Sequence, residues 1–274
     1  AMAAINTVGF TDDQGNNNEG WSWNNTGQVL TIEDNFTLDY SAGTQPAITL
    51  KPNSTILLKG KATITSNNKG IETTGNLTVK SATGVNGYLE INLNATGTNG
   101  KNYYGIELVN PDGEAGRKLT VTDNSILKIN SGDKGNGCIF CSANQYNSAT
   151  GSNEIVASNN PDVLEVTEKS AVQLIHGTSV ARGFRLTTNM SDDTSERVLF
   201  IDKSSGNAKP TLEVKTNTGK DLSNGFKNIT MMSCTIEGAP KDNTYSLTYN
   251  GTDHPILINL NKTIDVYYDD QRGK

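Results

Sequence analysis

The sequence contains no run of about 18 apolar residues, so no segment reads as a membrane-spanning helix. No stretch reads as a secretory signal peptide. Positive charge is in short supply. Lys and Arg number 23 against 29 Asp and Glu, a net charge of −6. That balance opposes binding to nucleic acid or to an anionic membrane, since both need a basic surface. There are only 7 prolines and no long charged block, which argues against general disorder. The cysteines are three, Cys138, Cys141 and Cys234, too few and odd in number for a disulfide framework. Hydrophobic residues reach only 34%, and Asn, Thr, Gly and Ser fill the gap. Thr suits a pleated sheet, while Asn and Gly suit turns. The composition is that of an all-β chain with many corners.

What is present is a recurrence. A Gly followed by a large apolar residue appears as Gly70-Ile71, Gly105-Ile106, Gly137-Cys138, Gly183-Phe184 and Gly225-Phe226. Two short alternating runs precede each copy. In one unit these are Thr55-Ile56-Leu57-Leu58 and Ala62-Thr63-Ile64-Thr65, and in the next Leu77-Thr78-Val79 and Leu89-Glu90-Ile91. Period-two alternation puts every second side chain on one face. A three-strand unit recurring along 274 residues predicts a solenoid. The expected fold is all-β: a single-stranded right-handed parallel β-helix of about seven three-strand coils with an N-terminal cap. A β-sandwich would also alternate, but it needs no equivalent Gly-apolar pair at every third strand. Asp162–Val166 aligns with Arg197–Ile201, each followed by a polar corner ending in Ser.

The expected organisation is an N-terminal segment over 1–19, partly disordered, a β-helix domain over 20–268, and a tail over 269–274. Trp21 and Trp23 precede the first coil and are expected to plug its open end, with a sugar-stacking platform as the alternative. Polar loops at about 143–161 and 189–196 interrupt the rhythm, and loops on a rigid scaffold are where binding usually sits. Cys138-Ile139-Phe140-Cys141 has the form C-x-x-C, but no helix start or second ligand pair accompanies it. Cys138 takes the slot of Ile71 and Ile106 and reads as a small buried hydrophobe.

Gly20-Trp21-Ser22-Trp23 leading into Val29-Leu30-Thr31-Ile32, with Gly70-Ile71, Gly105-Ile106 and Asn76-Leu77-Thr78-Val79, resembles a known group. The likeness is to bacterial secreted or surface right-handed parallel β-helix proteins, the pectate-lyase-like architecture, over about residues 20–268. It implies an extracellular or cell-surface protein with carbohydrate-binding or adhesin-like relatives. It specifies a fold rather than an activity.

A pectate-lyase-like enzyme needs carboxylates holding Ca²⁺ beside an Arg or Lys base. The outward column of first strands, Thr78, Thr120, Glu165, Phe200 and Glu237, is no such cluster. The second-strand column, Glu90, Lys128, Gln173 and Glu213, reads as a solvated face with cross-strand pairs. The third-strand column is Thr49, Glu72, Glu107, Ile139, Arg185 and Lys227. Glu72 and Glu107 should lie on adjacent strands about 4.8 Å apart, an unfavourable pairing of like charges. A bound cation such as Ca²⁺, or a sugar donating hydroxyls, would relieve it. Tyr104, Arg185 and Lys227 are expected at the edges of that site. The alternative is that both carboxylates turn apart into solvent. His176 and His254 show no pairing for a metal or a catalytic triad. The acidic doublets Asp12-Asp13, Asp192-Asp193 and Asp269-Asp270 lack calcium-loop spacing. No catalytic residue is assigned and no cofactor is expected beyond Ca²⁺. The expected role is binding or adhesion to a polysaccharide or a host or cell-surface glycan. The competing roles are a polysaccharide lyase or glycoside hydrolase and a passive stalk.

Overall fold

The structure is a computed structural model. It describes residues 3–95, 103–109, 117–133, 135, 137–141 and the strands named below, with side chains after residue 140 described only at 164–166 and 169–175. Strands β1 (Ile5–Asn6), β2 (Gln14–Asn16) and β3 (Trp21–Asn24) come first. The chain then cycles through three sheets. β4 (Val29–Ile32), β5 (Phe36–Tyr40) and β6 (Ile48–Leu50) enter the ten-, eight- and six-stranded sheets in turn. β7 (Ser54–Leu58), β8 (Lys61–Ser66) and β9 (Ile71–Thr73) repeat that order. So do β10 (Leu77–Ser81), β11 (Tyr88–Leu93) and β12 (Tyr104–Leu108), then β13 (Lys118–Thr122), β14 (Ile126–Asn130) and β15 (Gly137–Cys141). The antiparallel hairpin of β16 (Asn144–Asn147) and β17 (Ser152–Ile155) interrupts the cycle within the first polar loop. β18 (Asp162–Val166), β19 (Ala171–His176) and β20 (Arg182–Leu186) resume it. β21 (Val198–Ile201) and β23 (Cys234–Glu237) extend the ten-stranded sheet, and β22 (Thr211–Thr216) and β24 (Asn243–Tyr249) the eight-stranded one. β25 (Thr252–Ile258) and β26 (Ile264–Val266) close these two sheets antiparallel.

Among the described residues the chain is therefore all-β with mostly parallel sheets, an arrangement compatible with a β-helix. Parallel pairing of strands from successive units also removes the sandwich, whose sheets are antiparallel. Among the described residues no helix is long and apolar enough to cross a membrane.

The core follows from the alternation. Ile5, Ile48, Ile71, Ile106 and Ile139 stand in register across the six-stranded sheet, each no more than 2% exposed. Phe184 continues the register. Its side chain, and Phe226 altogether, lie outside the described residues. Here one expectation is corrected: Ile139, not Cys138, occupies the ladder position. The pairs Tyr104–Gly137 and Ile106–Ile139 place Cys138 beside Gly105. A similar one-residue slip pairs Asp162 with Val198 rather than with Arg197, so Ile201, not Phe200, faces Glu165. Because side chains alternate with period two, such a slip changes which residues share a row.

Cys138 is nonetheless fully buried and free. Its thiol lies 3.3 Å from the Ile175 carbonyl and 3.6 Å from that of Ile129, close enough to donate. Burial pushes the thiol from an ordinary 9.0 up to about 12, against the pull of bonds with Ser131 and Ile175. We expect peptide mapping after alkylation to show no modification of Cys138 in the native protein and full modification in denaturant. Rapid native labelling would contradict this burial. The same shift sets an alkaline limit. The unfolded thiol ionises first, so its contribution is intact below about pH 9. Stability then falls by about 1.4 kcal/mol per pH unit toward the folded value.

The corners carry their own polar ladder. Ser81 and Ser125 share a 2.8 Å hydroxyl contact, and the Ser125 amide donates to Ser170 Oγ at 3.3 Å, all buried. The Ser corner legible at Ser170 is thus an inter-strand bond that satisfies buried groups.

Residues before the first coil form a fastened cap. β2, β3 and β4 pair antiparallel over the end of the ten-stranded sheet. Trp23 is buried, and Trp21 is half-buried with its ring parallel to Phe10 at 6.1 Å. The plug reading therefore fits Trp23. Asn25 Oδ1 accepts from Trp23 Nε1 at 3.0 Å and from Lys51 Nζ at 2.8 Å, and Lys51 also donates to the Phe10 carbonyl at 2.6 Å. Asp13 of the first acidic doublet accepts from the Asn25 amide at 2.8 Å. Lys51→Met leaves Asn25 and the Phe10 carbonyl without this donor. We expect a loss of about 1–2 kcal/mol and faster amide exchange confined to 5–28, while 54–93 stays protected. Uniform exchange across both segments would show that the cap has no separate stability.

Candidate functional site

Register places Thr49 beside Glu72, Glu72 beside Glu107, and Glu107 beside Phe140, which in turn pairs with Arg185. The two carboxylates are thus adjacent on the outward face of the six-stranded sheet, as alternation required. The column is corrected in one place: Phe140 stands where Ile139 was expected, through the same one-residue slip. Arg185 is in β20 with its side chain outside the described residues, and Lys227 lies outside them altogether.

What relieves the adjacency is a lysine of the chain itself. Lys69 lies in the turn before β9, one residue ahead of Gly70. Its ammonium contacts Glu72 Oε2 at 2.6 Å and Glu107 Oε2 at 2.5 Å. The turn is rigid: the Lys69 amide donates to Asn68 Oδ1 at 2.7 Å, and the Lys69 carbonyl accepts from Ser66 Oγ at 2.9 Å and the Ala47 amide at 3.0 Å. The ion group is mostly covered, with Glu107 only 8% exposed. Burial works against the Lys69 charge, but Glu107 and Glu72 outweigh it and hold the ammonium above the ordinary lysine value. For Glu107 burial dominates. It pushes the carboxyl up, Lys69 opposes and Glu72 adds. The positive charge that the Glu–Glu pair demands is therefore internal, and the pair by itself supplies no reason for Ca²⁺.

Tyr104 departs from expectation. It is 1% exposed, with its ring stacked on Phe140 at 4.6 Å and 15°. A buried ring cannot serve as an open platform for a sugar. Phe140, half-buried, is the aromatic of this row that reaches the surface.

Elsewhere, among the described residues no group of three or more His, Cys, Asp or Glu is placed to hold a metal ion. The second-strand column keeps the predicted order, Glu90, Lys128, Gln173 and Glu213. Glu90 pairs with Lys128 at 3.6 Å and accepts from the Tyr88 hydroxyl at 3.0 Å and Asn92 Nδ2 at 2.9 Å. Burial raises the Glu90 carboxyl, and these donors with Lys128 more than reverse it, leaving it below the usual carboxylate value. Glu165 is buried and paired with Lys118 at 2.9 Å. Comparison with family models, with curated proteins and with solved structures finds no match.

Proposed function

We propose that the chain is a right-handed parallel β-helix of about seven coils, spanning about 20–268, that acts as an extracellular or cell-surface binding module for polysaccharide. The observation that supports this reading is the in-register repetition of outward side chains. In the six-stranded sheet Thr49, Glu72, Glu107 and Phe140 follow one another rung by rung. Rungs recur at about 4.8 Å, comparable to the length of one sugar unit in an extended glycan. A rigid row of hydroxyl, carboxylate, ammonium and aromatic groups at that spacing suits repeated contacts with a repeating ligand. Lys69 and Glu72 retain exposure there, and Arg185 and Lys227 are proposed at the far edge.

The same ion group disfavours catalysis. A lyase needs a free base beside a bound cation, and a glycosidase needs two independently titrating carboxylates. Here one ammonium binds both carboxylates. The test is an array of neutral and acidic polysaccharides run beside a cleavage assay on polygalacturonate with added Ca²⁺. The expected result is retention on the array with no unsaturated product and no new reducing ends. Glu72→Gln with Glu107→Gln should weaken an acidic-face ligand severalfold. Bond cleavage would make the chain an enzyme, and retention of no glycan would leave it a stalk.

A further inference from the structure

We infer that the outward face of the eight-stranded sheet between β11 and β19 is a second contact surface, and that it takes an uncharged polysaccharide lying across the strands. This rests on the reading of the chain as a glycan-binding module. Two neighbouring rows carry it. Tyr88, Ile126 and Ala171 are in register in one row, and Glu90, Lys128 and Gln173 in the next. All six are half-buried, while the residues between them along each strand, such as Leu89, Leu127 and Val172, are buried. The first row is an apolar strip headed by an aromatic ring, on a face where a solenoid needs no apolar residues for its core. The second row is a line of hydrogen-bonding groups one side-chain repeat away.

That combination matches the two sides of a pyranose ring: its C–H face packs on apolar or aromatic surface, and its hydroxyls bond to polar groups beside it. Successive rungs offer the same pair of contacts at about 4.8 Å. The polar row is held in place before any ligand arrives. Glu90 is fixed by Tyr88, Asn92 and Lys128 together. Lys61, exposed on the preceding strand, holds its ammonium 5.5 Å from the centre of the Tyr88 ring. Charge decides the class of glycan. Glu90 and Lys128 neutralise each other and Gln173 is neutral, so from β11 to β19 the two rows present no net charge, and Lys61, in register with Tyr88 on β8, adds one positive charge only at their edge. A neutral polymer loses nothing along these rungs, and an anionic one meets a counter-charge only at the Lys61 edge.

The experiment is titration of the full chain with neutral hexasaccharides, β-1,4-linked glucose, mannose and xylose, and with polygalacturonate as the anionic probe. We expect at least one neutral hexasaccharide to bind. Tyr88→Ala should weaken it about five- to tenfold, Tyr88→Phe should restore it, and Ala171→Arg, which lays a long charged chain over the strip, should remove it. Melting temperature and circular dichroism of each variant separate lost binding from lost fold, and Ala171→Arg changes a half-buried outward position on a different strand even if Tyr88→Ala unfolds the sheet. If neutral hexasaccharides bind but Tyr88→Ala and Ala171→Arg keep wild-type affinity, this face is not the contact, while the glycan-binding reading stands. Binding of polygalacturonate alone would overturn it likewise. If no glycan binds, that reading falls and this inference with it.

Discussion

Replacing Gly105 with Ala should cost about 3 kcal/mol or more, among the largest effects of any single methyl in the chain. A Cβ at Gly105 would clash with the Ile129 side chain and lie 2.8 Å from the Cys138 carbonyl oxygen. At Gly70 it would clash with the Gly105 carbonyl oxygen and lie 2.6 Å from Ile91 Cγ2. In both cases the obstacle is the backbone of the next rung together with an Ile one strand further along the eight-stranded sheet. A side-chain tip can move aside; a carbonyl locked in a parallel ladder cannot. At Gly70 and Gly105 the Gly-apolar pair thus has a physical cause: there the chain enters the six-stranded sheet so close to the next rung that only hydrogen fits. Gly9→Ala is the control, because nothing lies within 4 Å of its Cβ position. Chemical unfolding should show it within about 0.5 kcal/mol of wild type. A Gly105→Ala protein as stable as Gly9→Ala would mean the rungs are not packed as described.

The second large effect should come from Lys69→Met. The substitution keeps the stem and removes the ammonium, leaving Glu72 and Glu107 adjacent, with Glu107 buried and no counter-charge. Removing one member of a buried ion group costs about 3–5 kcal/mol. Glu72 and Lys69 keep partial exposure, so we expect about 2–3 kcal/mol here. The pH dependence has a definite sign. The Glu107 carboxyl is already raised in the folded protein, and losing Lys69 raises it further. The native state then binds a proton that the unfolded state releases, so the variant gains stability as pH falls from 7 toward 5. Ca²⁺ should raise the variant's unfolding midpoint and leave wild type unmoved, since in wild type the ammonium already sits between the carboxylates. A loss below 0.5 kcal/mol would show that the carboxylates turn apart and that the ion group holds nothing.

These two cases mark what the sequence carried and what it did not. The alternation of Leu77-Thr78-Val79 or Leu89-Glu90-Ile91 is enough to assign strands and faces, and recurrence is enough to stack them in parallel. The Glu72–Glu107 contact and the Glu90–Lys128–Gln173 row follow from those two facts alone. Register between distant copies does not. Matching Gly137-Cys138 to Gly105-Ile106 by residue type put Cys138 in the ladder, but the chain reaches β15 one residue further along, and Ile139 lands there. That slip also hid Phe140, and with it the partner that buries the Tyr104 ring. Lys69 was in plain view, three residues before Glu72 and directly ahead of the Gly70-Ile71 pair. Its role depends on the turn at Asn68–Gly70, which aims the side chain along the sheet rather than away from it. Turn geometry of that kind is set by local hydrogen bonds and leaves no periodic trace in the sequence.

The claim that repeated rungs make repeated contacts is tested most directly by the length dependence of glycan binding. Titrating the full chain with a neutral oligosaccharide series from two to eight units should give affinity that rises with each added unit until the row of rungs is covered, then levels off. Affinity independent of length, or no binding at any length, would contradict it.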